Sequence, residues 1–194
     1  DLSALFAVLI VTILLWRGTN TTARVENVLV IGKVLVILIF IGVGLTAIHP
    51  ANYVPFIPAH KPGTDFGGWQ GIFAGAAQIF LAYIGFDSIA ANSAEAKDPK
   101  KTMPRGIIGS LVIATILFVT VALVLVGMFH YSKYANNAAP AAWALLNSGH
   151  EFTSNLLSVV ALVGMFTAII GMMLAGSRLL YAFGRDGLLP KFLG

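Results

Sequence analysis

Phe80-Leu81-Ala82-Tyr83-Ile84-Gly85-Phe86-Asp87-Ser88 sits in the middle of an apolar run, from Trp69 to about Glu95, that is long enough to cross a membrane. A continuous helix through this run would hold Gly85, Asp87 and Ser88 near or just past the midplane. A carboxylate in hydrocarbon costs roughly 3 kcal/mol or more, and glycine is a poor helix former. A broken helix resolves both conflicts. The chain unwinds around Ile84-Gly85, and Asp87 or Ser88 caps the half-helix that follows. Backbone unwound at membrane depth is tolerated only where protein buries it or where it lines a cavity. The fold is therefore read as all-α and membrane-integral, with an interrupted span at its centre.

Composition agrees. Of the 194 residues, 58% are hydrophobic and 10% charged, against about 45–50% and about 25% in soluble domains. The net charge of +4 does not indicate nucleic acid, because the basic residues are not pooled into one patch. Without cysteine there is neither a disulfide nor a thiolate metal site. His49, His60, His130 and His150 fall at span ends or in connections and lack metal-ligand spacing. A phosphate loop, a nucleophile elbow and paired intramembrane carboxylates are all missing, so an enzyme reading has no residues to carry it and no cofactor is expected. Asp1-Leu2-Ser3 leads straight into an apolar stretch and Phe192-Leu193-Gly194 closely follows a helix. The chain is expected to be a portion of a longer protein.

A span needs about 20 apolar residues. Five are expected within a single transmembrane domain over 1–194: residues 2–16, 27–48, 68–96 (broken near 84–87), 106–130 and 155–184. The last exceeds the need of a bilayer, so it tilts or extends beyond it. Arg17, Arg24, Lys97, Lys100, Lys101, Arg105, Arg178, Arg185 and Lys191 fall on one side, and only Lys61 and Lys133 on the other. That asymmetry places loops 17–27 and 97–105 and the C-terminus in the cytoplasm of a multi-pass protein of the cell membrane. The connection 49–67, with Pro50, Pro55, Pro58 and Pro62, reads as irregular but rigid. A short helix is expected at about 140–148, starting near Pro140. It reads either as an interfacial helix with Trp143 in the aromatic belt or as a lid over an outer vestibule.

Two places carry chemistry. The half-helix ending near Ala82-Tyr83-Ile84 would expose free carbonyls and a partial negative end, suited to an ammonium group. Secondary transporters place substrate sites at such breaks; the competing reading is a plain glycine kink with Asp87 near the interface. The second place is Lys33, five residues beyond Val28 and so about 8 Å along the helix at ~1.5 Å per residue. A lysine stem can snorkel that far, which makes an anchor one reading. The other is a buried amine that loads and releases a proton. In the last span, Gly164, Ala168, Gly171, Ala175 and Gly176 permit close helix packing. Thr167 stands among them, and the commonest role of such a hydroxyl is back-bonding to a carbonyl one turn away.

Several stretches resemble the amino acid–polyamine–organocation transporter superfamily, and within it the cationic amino acid transporter group. They are Gly71-Ile72-Phe73-Ala74-Gly75-Ala76-Ala77 leading to Ala82-Tyr83-Ile84-Gly85-Phe86-Asp87, the loop Ala94-Glu95-Ala96-Lys97-Asp98-Pro99-Lys100-Lys101-Thr102-Met103-Pro104, and Ser177-Arg178-Leu179-Leu180-Tyr181-Ala182-Phe183-Gly184-Arg185-Asp186-Gly187-Leu188-Leu189-Pro190. The resemblance implies a leucine-transporter-type fold of two inverted five-helix repeats. The five spans stand as its transmembrane helices 4 to 8, and the broken span as helix 6. By resemblance the carbonyls of Leu81, Ala82 and Ile84 hold the substrate's α-ammonium group, with Tyr83 and Gly85 of the same break as further substrate-binding residues. Leu81 stands where relatives often place an aromatic gate, a departure that removes stacking there. Lys33 is similar to the helix 5 lysine that replaces sodium in proton-coupled relatives, and Thr167 to its helix 8 hydroxyl partner.

The resemblance implies proton-coupled symport of L-amino acids, cationic or broad in range, by alternating access. No acidic residue faces the pocket from these spans to select cationic substrates. Amino acid exchange, or binding without flux by a sensor or subunit, are the alternatives. Expected partners are the amino acid, protons, membrane lipid and transporter helices 1 to 3 and 9 onward; nucleic acid is not among them.

Overall fold

The computed structural model describes residues 2–16, 19–64, 66–85, 98–188 and 190, and all regular structure among them is helical. We label the α-helices α1 (Leu2–Trp16), α2 (Thr19–Thr46), α3 (Gly68–Phe80), α4 (Pro99–Met128), α5 (Pro140–Asn147) and α6 (Glu151–Arg185); 3-10 turns occur at Pro50–Tyr53, Leu81–Tyr83 and Tyr131–Tyr134. Among the described residues, three helices are long and apolar enough to cross a membrane: α2 from Arg24 to Thr46, α4 and α6. With 15 and 13 residues, α1 and α3 fall short of the length of a full crossing. The expected continuation of α3 through 86–96, with its cap at Asp87 or Ser88, lies outside the described residues.

The long helices begin before their apolar stretches do. α2 starts at Thr19 rather than 27, α4 at Pro99 rather than 106, and α6 at Glu151 rather than 155. Hydropathy marks only the part of a helix that meets hydrocarbon, whereas propagation adds a hydrogen bond for each further residue. Even Pro104 stays inside α4. It forfeits one bond at an exposed polar end, where water can replace it. Asp98 anchors that end: its carbonyl accepts the Thr102 N–H at 2.9 Å and the Thr102 hydroxyl at 2.7 Å.

The chain forms two compact units: residues 1–36, 85–110 and 159–194, and residues 37–84 and 111–158. In the first, Val11 of α1, Val36 of α2 and Thr167, Ile170 and Ala175 of α6 are buried. In the second, the core is Phe40, Val124, Met128, Ala144 and Leu145. Large apolar side chains such as Ile31, Phe73, Ile113 and Leu162 are exposed along the helices. Water disfavours apolar patches of that extent, and a bilayer or further helices would cover them.

In the second unit, side chains bond to carbonyls in the C-terminal turns of α4, the last of which lack helical partners. Asn52 donates to the carbonyls of Gly127 and Met128 at 2.8 and 3.1 Å, and the Tyr53 hydroxyl donates to Leu123 at 2.9 Å. The Tyr134 hydroxyl donates to Leu125 at 2.6 Å. Gly127 is where Tyr53 crosses the helix, and a Cβ there would overlap the phenol. α5 belongs to this core. Ala144 and Leu145 are fully buried, Trp143 stacks at 5.1 Å on Phe129, and Ser154 of α6 donates to the Ala142 carbonyl at 2.7 Å.

Candidate functional site

Within the first unit, α2 lays Lys33 against α6. Its Nζ donates to the Thr167 Oγ1 at 2.6 Å, and the Thr167 hydroxyl donates to the Gly164 carbonyl at 2.8 Å. A hydroxyl has one proton, and Gly164 takes it, so the oxygen can only accept from Lys33. Thr167 thus makes the expected back-bond and the contact with the amine at once. Gly164 leaves room for the lysine stem, whose Cδ lies 3.5 Å from where a Cβ would stand.

Glu26, which charge counting places in a loop, lies within α2, and its carboxylate rests against Gly171. Lys33 meets Gly164 and Glu26 meets Gly171, so α2 and α6 run antiparallel here, with a glycine wherever a long polar side chain crosses. The one ion pair among the described residues joins Lys101 to Asp98 at 3.8 Å on the surface. No described carboxylate therefore lies within pairing distance of Lys33.

The break in the second unit starts earlier than its sequence suggests. α-Helical geometry ends at Phe80, the 3-10 turn carries the chain to Tyr83, and the backbone becomes extended at Ile84 (ψ 132°). Gly85 follows at φ 116°, in the region that favours glycine. The Leu81 carbonyl, expected to be free for an ammonium group, accepts the Ile84 N–H at 3.2 Å. A 3-10 turn thus satisfies one lone pair of a terminal carbonyl that an abrupt break would leave open. Leu81, Ala82 and Ile84 are exposed.

Tyr83, expected among the substrate-binding residues, turns its side chain to α4. Its hydroxyl lies 2.9 Å from the Thr115 Oγ1, and its ring meets Phe118 edge-on at 5.4 Å. Sequence reasoning missed Thr115; the available signal was a hydroxyl inside an apolar run. Among the described residues no three His, Cys, Asp or Glu side chains converge as a metal site would require. An apolar cavity of about 400 Å³ lies between α4 and the connection after α2, lined by residues including Tyr53, Phe56, Phe66 and Leu123. It contains none of the residues expected to bind substrate.

A family model described as amino acid permease matches residues 2–194. Over 194 residues the chain is 61% identical to the branched-chain amino acid permease BcaP of Lactococcus lactis subsp. cremoris (strain MG1363), a match covering 100% of this chain and 42% of that protein. BcaP of Bacillus subtilis (strain 168) is 36% identical over 193 residues, covering 100% and 40%. The chloroplastic cationic amino acid transporter 9 of Arabidopsis thaliana is 35% identical over 182 residues, covering 94% and 30%. The chain therefore spans between 30% and 42% of the length of these curated relatives, all of them named as permeases or transporters.

Proposed function

Because the chain belongs to the amino acid permease family, we propose that it is the part of a secondary active transporter that holds the proton-coupling residue and half of the substrate site. The whole protein moves L-amino acids by proton symport across a cell membrane. Its fold is of the leucine-transporter type, with the spans here as helices 4 to 8, and loops 17–27 and 97–105 and the C-terminus face the cytoplasm.

The observation that carries this reading is the bond from Lys33 to Thr167. An amine at an apolar helix–helix contact, held by a neutral hydroxyl and by no described carboxylate, suits a role as the proton carrier. Gain and loss of that proton change how well α2 and α6 tolerate each other. A proton shifts the equilibrium only through different affinity for the two states, so Lys33 has different neighbours when the site faces outward and inward. A sodium ion at this place would meet the ammonium charge.

The substrate's ammonium group docks on the carbonyls of Ala82 and Ile84 and on the remaining lone pair of Leu81. Its carboxylate is taken by helix 1, which lies beyond this chain. The 61% identity to a permease named for branched-chain amino acids supports an aliphatic substrate over a cationic one. An apolar Leu81 at the break fits the same choice.

The test is uptake of radiolabelled leucine, alanine and arginine by the full-length protein in proteoliposomes, with and without an inward proton gradient. Gradient-stimulated leucine uptake that Lys33→Ala abolishes is the expected result. Uptake that needs a preloaded amino acid and ignores the gradient would sink proton symport in favour of exchange. Binding without uptake would indicate a sensor or subunit.

A further inference from the structure

We propose that Tyr83 is a positioning residue: it latches the interrupted segment Leu81–Ile84 onto α4 through Thr115 and so fixes where the carbonyls of the break point. This inference rests on the reading of the break as the substrate site.

Of the residues Leu81 to Ile84, only Tyr83 is withdrawn from the surface; its three companions are exposed. Its side chain joins this stretch to α4 by a hydrogen bond and a ring contact. Immediately after Tyr83 come the extended Ile84 and the left-handed Gly85, where helical geometry has ended. A contact at Tyr83 thus acts at the end of the helical segment.

The contact is directional. The Thr115 hydroxyl donates its only proton to the Leu111 carbonyl at 2.7 Å, so the Tyr83 phenol is the donor in the 2.9 Å bond between the two oxygens. Phe118 stands three residues further along α4, on the same helix face, and meets the ring edge-on. One polar and one apolar contact together fix both the position and the rotation of the tyrosine. A phenol released from Thr115 gives up both a hydrogen bond and an edge-on ring contact. The latch therefore resists displacement of the segment and needs no change of protonation.

The experiment uses the full-length protein in proteoliposomes with leucine as the probe. Tyr83→Phe and Thr115→Val each remove the bond while keeping shape. Each is expected to raise KM about threefold, the factor of one membrane-embedded hydrogen bond, with maximal velocity retained. The double variant is no worse than either single one, and Thr115→Ser restores wild-type behaviour. As a readout apart from transport, Ile84→Cys in a cysteine-free full-length background reports thiol labelling in membranes, and labelling quickens when Thr115→Val is added.

Additive effects of the two variants on KM, or KM and labelling both unmoved, overturn the latch. Gly85→Ala distinguishes the two ways to fail, because it disturbs the break directly. If it raises KM where Tyr83→Phe and Thr115→Val do not, the break binds substrate without the latch. If it also leaves KM unmoved, the break is not the substrate site and the latch falls with that reading.

Discussion

Lys33 and Thr167, 134 residues apart in the chain, meet in a 2.6 Å hydrogen bond whose direction is settled because the threonine's proton is already given to Gly164. The amine has no alternative described partner of opposite charge, so the quality of this one acceptor governs how the helix pair holds a lysine.

Thr167→Val keeps the side-chain shape and removes the acceptor. The stranded amine should cost roughly 1–3 kcal/mol, read as a lower melting temperature of the full-length protein in detergent. Thr167→Ser keeps the oxygen and should stay close to wild type. Equal losses from the two variants would show that shape, not hydrogen bonding, matters at this position.

Gly164 tests the room left for the lysine stem. A Cβ would meet only Lys33 Cδ at 3.5 Å, an ordinary contact. Gly164→Ala should therefore change stability by about 0.5 kcal/mol or less. Gly164→Leu has to displace the stem from Thr167, and proton-stimulated uptake should disappear with it. Retained stimulation in the leucine variant would place the coupling elsewhere.

Gly127→Ala pushes a methyl group into the Tyr53 phenol and against Ile48. Overpacking of this kind costs roughly 1–3 kcal/mol, again measurable by thermal melting. Pairing it with Tyr53→Leu, which vacates the ring's place, should recover part of the loss. No recovery would mean that the backbone of α4, rather than the phenol, takes up the strain.

Tyr134 gives a pH signature. Burial pushes its phenol up to about 12, with a backbone hydrogen bond from Phe129 pulling the other way. The folded value lies above the ordinary 10, so the neutral phenol stabilises the fold fully below pH 10. That contribution is lost as pH rises from 10 towards 12. Tyr134→Phe should lower the melting temperature at neutral pH and flatten this alkaline loss relative to wild type. An unchanged difference between the two proteins across that range would rule the group out.

Much of the fold could be read in one dimension. A bilayer obliges each crossing segment to satisfy its own backbone, so length and apolarity alone mark out α2, α4 and α6. Gly85 is the residue that the left-handed backbone at the break requires, and its place beside a carboxylate in an apolar run exposed that need. What could not be read was the start of each long helix, because helix propagation continues into polar sequence where hydropathy falls silent. Glu26 was lost to a loop for that reason.

By itself the sequence determined a helical membrane protein, a helix that ends before Gly85 and a lysine inside an apolar helix, because these follow from solvent and local backbone preference. Only the tertiary structure decided that Thr167 receives that lysine, that Tyr83 turns to Thr115, that Leu81 has its carbonyl engaged and that α5 is core. Each of these depends on which helix faces meet. That is a property of side chains far apart in sequence, which no local pattern encodes.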